Sequence, residues 1–238
     1  MTTTPNLWGQ KTVADTHFGN RQVLGLSNGN ILIGGSTGDD GKIGTPGSDV
    51  LGRIVDAAGN PVTGTLQLNT AFFSDEEVQP AFGATSDGGF IVVYNDVVGD
   101  TTPSESVGTS IRFERYDASG ARTQFGTIAH GVLGSNYVAN PDIVTFADDS
   151  FVVTFARGST TGNNFTRGVI VGSDGATDVI EFEAGSNSGV EITPKVAMLS
   201  NGNFVVLNDD NVTSTKFKFT ILDADGDIVE GPTVIQQP

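Results

Sequence analysis

The side chains best suited to chemistry in this 238-residue sequence are carboxylates set between short apolar runs. Asp39, Asp40 and Asp49 fall in one such interval, Asp96, Asp100 and Glu105 in a second, and Asp209 and Asp210 in a third. The connector SDEEVQ (74–79) adds Asp75, Glu76 and Glu77. Clustered carboxylates with Asn and backbone carbonyls are the oxygen ligands that Ca2+ prefers. Asp39, Asp40, Asp209 and Asp210 are therefore the candidate metal ligands and Ca2+ the candidate cofactor, with a solvated acidic rim as the alternative. A pair of loop carboxylates could also serve as acid and base on a glycosidic bond. That makes a polysaccharide hydrolase an alternative function.

Sugar rings stack on aromatic faces, so the tyrosines come next. The sequence has one Trp, Trp8, and three Tyr: Tyr94, Tyr116 and Tyr137. They share no common offset, which argues against a lectin with one site in every repeat. Tyr94 and Tyr137, with Asp96 and Asp100, remain the candidate ligand-binding residues; packing is the alternative for both tyrosines. Other motifs carry little. GGSTG (34–38) has the Gly-x-Ser-x-Gly pattern, but that motif needs a strand-to-helix elbow, and here it follows a β run. His17 and His130 have no second His at metal spacing. DADGD (223–227) begins like a Ca2+ loop but has Ile228 at the sixth position, where a Gly is required. The expectation is a protein that is not an enzyme.

Twelve Lys+Arg against 28 Asp+Glu leave a net charge of −16. Such a field repels phosphate backbones and excludes nucleic acid as a partner class. No apolar stretch approaches the ~20 residues of a membrane helix, so membrane insertion is not expected. The absence of Cys removes disulfides and thiolate sites. The opening segment MTTTPNLWGQ lacks the basic and apolar regions of a secretory signal. Export by another signal, or membership of a larger protein, remains open.

The elements that must position these residues repeat. LSNGNILI (26–33), TSDGGFIVV (85–93), FADDSFVV (146–153) and LSNGNFVV (199–206) each join a polar turn to an apolar run. Aligned on Gly29, Gly88, Asp149 and Gly202, they are spaced by 59, 61 and 53 residues. Eight residues earlier stand Arg21, Pro80, Pro141 and Pro194, where proline at the first residue of a strand avoids losing a ladder bond. A second turn recurs at Gly59, Gly120, Gly175 and Gly226, mostly behind an Asp, as tight turns favour. Each unit reads as two hairpins. In the second, the strands fall near 80–85, 90–95, 110–116 and 122–128. Phe217, Phe219 and Ile221 alternate with polar residues, the period of a half-buried strand.

Approximate repeats are 20–79, 80–140, 141–193 and 194–238, forming a single all-β domain. Four-stranded antiparallel units in tandem predict a β-propeller, with a β-sandwich or part of a larger multi-chain ring as alternatives. Residues 9–19 look like an extra N-terminal strand and GPTVIQQP (231–238) like a fourth strand. A spare edge would favour homo-oligomers through the terminal strands. The turns at one end are nearly uniform in length, whereas the distance between the two turns of a unit varies (30, 32, 26 and 24 residues), which makes the other end variable. The acidic loops lie there, where binding usually sits.

DGGFIVVYND (87–96) followed by IRFERYDASGA (111–121) resembles a repeat of large secreted bacterial proteins that leave by type I export and often carry calcium-binding nonapeptides. The nonapeptides are absent here, and the aromatic at Tyr94 and Phe155 is replaced by Gly35 and Asn208. The resemblance implies an extracellular or cell-surface binding or adhesion module with a glycan or cell-surface partner, and it transfers no catalytic residue. A structural propeller mediating self-assembly is the further alternative.

Overall fold

The computed structural model describes residues 18–37, 48–71, 76–97, 108–132, 137–158, 164–175, 180–187, 193–210 and 216–235. Among these residues the secondary structure is entirely strand and turn, in four antiparallel sheets whose strands follow chain order. The first blade holds β1 (Phe18–Gly25), β2 (Ile31–Thr37), β3 (Val50–Val55) and β4 (Leu66–Gln67). The second holds β5 (Glu76–Ala84), β6 (Phe90–Val97), β7 (Gly108–Tyr116) and β8 (Arg122–Val132). The third holds β9 (Tyr137–Thr145), β10 (Phe151–Gly158), β11 (Asn164–Val171) and β12 (Ile180–Asn187). The fourth holds β13 (Lys195–Met198), β14 (Phe204–Asp210), β15 (Lys216–Leu222) and β16 (Ile228–Ile235). This is a β-propeller arrangement.

The turns form for local reasons. Asp56, Asp117 and Asp223 each accept a hydrogen bond from the amide two residues on and another from the amide four residues on. Such turns let a short polar side chain stand in for a backbone acceptor. These bonds hold the Asp56 and Asp117 carboxyls below the usual carboxylate range; the largest causes are the side chains of Asn60 and Ser119. DADGD is thus an ordinary turn. In the first hairpin of each blade Gly29, Gly88 and Gly202 take the left-handed conformation, and Asp149 takes it in the third. The exception has a reason. The Asp149 carboxylate accepts from the Ser86 amide at 2.6 Å and the Ser86 hydroxyl at 2.9 Å, and pairs with Arg115 at 3.0 Å. A side chain here ties the third blade to the second.

Apolar faces build the core. Phe82, Phe90, Val92 and Tyr94 of the second blade pack on Leu32, Ile54 and Leu68 of the first. Ile91, Val93, Ile111 and Phe113 leave the other face of the second blade to meet Phe151, Val153 and Phe155 of the third. Val152 and Ile170 meet Phe204, Val206 and Leu222 of the fourth. The middle strands β6 and β10 are buried on both faces because each lies between two neighbouring sheets. Each such side chain contributes roughly 1.5–3 kcal/mol by leaving water. The first strands of successive blades also touch one another, β1 with β5, β5 with β9 and β9 with β13, so they line the inside of the arc.

Two expectations change. Proline opens no strand in the second and third blades: Pro80 and Pro141 lie inside β5 and β9, whereas Pro194 stands directly ahead of β13. The residues before them, Gln79 and Asn140, have φ of 55° and 54°, and Asn20 has 45° at the matching place in β1. The ladder shifts register at each of these points. A bulge leaves its extra residue out of the ladder, so proline there forfeits no bond. Second, the strands run past their apolar cores. In the second blade β5 begins at Glu76 and β6 ends at Val97, because ladder bonds come from the backbone and continue through polar residues. Phe18 and Gly19 of the proposed extra strand belong to β1, and its residues 9–17 lie outside the described residues.

Candidate functional site

Most described acids are committed to structure. Glu114 on β7 is fully buried between the first two blades. Its carboxylate accepts from the Tyr94 hydroxyl at 2.9 Å, the Tyr116 hydroxyl at 2.8 Å, the Thr70 hydroxyl at 3.0 Å and the Ala71 amide at 2.9 Å. Arg122 lies 3.4 Å away and supplies the counter-charge. Burial, and then the Glu114 charge, push both tyrosine hydroxyls well above the usual phenol range. Nearby, Asn69 bridges two buried acids, donating to Asp49 at 3.0 Å and to Glu77 at 2.7 Å. Asp96 is paired with Arg112 at 2.7 Å.

Several candidate residues therefore need correction. Tyr94 is fully buried and hydrogen-bonded, so it presents no ring face to a sugar. Asp96 is no loop residue: it lies in β6, buried, directly opposite Glu77 on β5. Asp209 and Asp210 end strand β14 and pair with Phe217 and Lys216 in the ladder, so the backbone there is not a loop. Asp39, Asp40 and Asp100 lie outside the described residues. Among the described residues no group of three or more His, Asp or Glu is arranged to hold a metal ion. GGST (34–37) is strand throughout, which removes the elbow. The His130 ring does reach the Ser110 hydroxyl at 3.0 Å. In the ladder Asp96 stands opposite Ser110 on the side away from His130, so the acid neighbours the serine and not the histidine it would have to orient.

Asp142 is different. It sits on β9, on the inside of the arc, directly after the bulge at Asn140 and Pro141. Bulges often re-aim a side chain beside functional sites. One carboxyl oxygen accepts from the Val196 amide at 3.0 Å, and Lys195 reaches the other at 3.7 Å. Asp142 and Lys195 are the same repeat position in consecutive blades, separated by the 53-residue spacing. The equivalent residues in the first two blades are Gln22 and Ala81, so the acid–base pair occurs at one seam only. The Asp142 side chain keeps 17% exposure and Lys195 keeps 55%. Burial pushes the Asp142 carboxyl above the usual range, against the lowering by the Val196 amide and Lys195. Tyr137, half-buried, opens the same strand. Asp142 carries no signal in the sequence beyond being an Asp after a recurring proline.

A largely buried carboxyl that keeps some exposure and holds its proton more tightly than usual has the properties of a general acid. No protein-family model matches this chain, and no curated protein does. Solved structures do. A Hadza microbial sialidase superposes with a TM-score of 0.65 at 12% identity, over 93% of this chain and 46% of its own. A thermostable family-43 glycoside hydrolase superposes with a TM-score of 0.57 at 10% identity, over 93% and 77%. An α-L-arabinofuranosidase from Fusarium graminearum gives 0.57 at 12% identity, over 87% and 63%. The chain spans less than half the length of the sialidase. These likenesses show the propeller fold. They also overturn the expectation of a protein that is not an enzyme, because these three propellers carry the names of enzymes.

Proposed function

We propose that this chain acts on a polysaccharide as a hydrolase, with Asp142 as the proton donor to the leaving sugar oxygen. The observation that carries the reading is the Asp142 carboxyl itself: set at the seam between the third and fourth blades, 17% exposed, and raised in pKa by burial. Tyr137 at the start of the same strand is the aromatic placed to meet a sugar ring. The glycoside hydrolase names of the superposed propellers support the substrate class. The same reading puts the protein outside the cell, in keeping with the resemblance of its repeat. A Ca2+ contribution from the acidic loops is proposed alongside it and is read by repeating each assay with chelator.

The test is reducing-end release from a panel of polysaccharides by the intact chain, parent against Asp142→Asn. Loss of a general acid costs roughly 100- to 10,000-fold in rate. A group that must be protonated to act also loses activity as pH rises through its pKa, so the parent's profile should fall on the alkaline side. Asp142→Asn should lack that limb. No turnover on any polymer, or equal turnover by the variant, would overturn the assignment.

A further inference from the structure

The two ends of the arc expose faces that the repeat buries everywhere else. Within the chain, every seam joins the forward face of one blade to the backward face of the next. Ile33, Val92, Val153 and Val206 are one repeat position on the backward face. The last three are fully buried, but Ile33 of the first blade is 50% exposed. Val23 is 72% exposed, while its equivalents Phe82 and Ile143 are buried. On the forward face, Leu32, Ile91 and Val152 are fully buried, yet their fourth-blade equivalent Val205 is only half-buried. Ile221 is likewise half-buried, against buried Ile54 and Ile170. Among the described residues, no packing like that between consecutive blades joins the first blade to the fourth.

We infer that a second copy of this chain docks head to tail, the forward face of its fourth blade covering the backward face of the first. The occupant follows from the interfaces already inside the molecule. Three times over, a forward face of this repeat is complemented by a backward face, and the chain offers one spare example of each. Because the two patches differ, the contact is heterologous and either closes into a ring or continues to add copies. The net charge of −16 on each copy opposes association, so added salt should strengthen it.

Sedimentation of the intact chain across a range of concentrations tests this with two double variants. Val23→Lys with Ile33→Lys disables the backward face, and Val205→Lys with Ile221→Lys disables the forward face. Lysine makes the net charge less negative, so lost assembly could not be ascribed to greater repulsion. The expected result is that the parent associates, each variant alone is monomeric, and an equimolar mixture forms a dimer and stops there. A strictly monomeric parent, variants that assemble like the parent, or a mixture that stays monomeric would each overturn the inference. If the forward-face pair fails to fold by circular dichroism, Val205→Lys alone takes its place. Val23 already points into solvent, so Val23→Lys alone is the folded control for the other face.

Discussion

At the scale of residues, the seam between the first two blades shows how this acidic chain accommodates a buried charge. Glu114 has five donors around it, four of them neutral. Removing the carboxylate would strand two phenol hydroxyls, a threonine hydroxyl and a backbone amide in a dry interface. Glu114→Ala should therefore cost about 3–5 kcal/mol in urea unfolding. Tyr94→Phe, which removes one donor of five, should cost only about 1 kcal/mol. Comparable losses for the two variants would show that Glu114 is not the hub of this network. The sequence drew attention to Tyr94 and Asp96, but their partners Glu114 and Arg112 lie on another strand. Which residues face each other is decided by strand register, and residue types alone do not encode it. Asp142 was harder still to read, because its burial comes from a bulge and from packing against the next blade.

At the scale of elements, turns were the most legible feature, since an Asp or Asn ahead of a left-handed glycine acts within a few residues. Strand ends were not: apolar patterning marks where sheets stack, whereas the ladder runs on through polar residues such as Glu76 and Asp96. The same repeat positions also diverge in a way that a register shared by all four blades makes readable. Where the second blade has Tyr94 and Glu114, the third has Phe155 and Val169, and the fourth has Asn208 and Thr220. The seam between the third and fourth blades thus encloses Thr154, Thr166, Asn208 and Thr220, whose side-chain polar atoms are buried without a hydrogen-bond partner among the described residues. An uncompensated buried hydroxyl costs about 1–3 kcal/mol. Thr154→Val and Thr220→Val, which keep the shape and remove the hydroxyl, should each raise the urea midpoint. A lowered midpoint for both would mean that these hydroxyls are satisfied in solution.

At the scale of the whole molecule, the four-blade organisation was visible from the 59-, 61- and 53-residue spacings. Whether the blades close on themselves was not, because closure depends on curvature accumulated over the whole chain. An arc with two spare faces behaves as a short stack in which each sheet is stabilised only by its neighbours. The second and third blades are held from both sides and the first and fourth from one. The amides of β6 and β10 should then resist deuterium exchange longest, and those of β14 to β16 should open first. Uniform protection across all four blades would indicate a cooperative closed body instead. The exposed ends thus set a direction for unfolding: the chain should fray from its termini inward and keep its central pair of blades as the last folded unit.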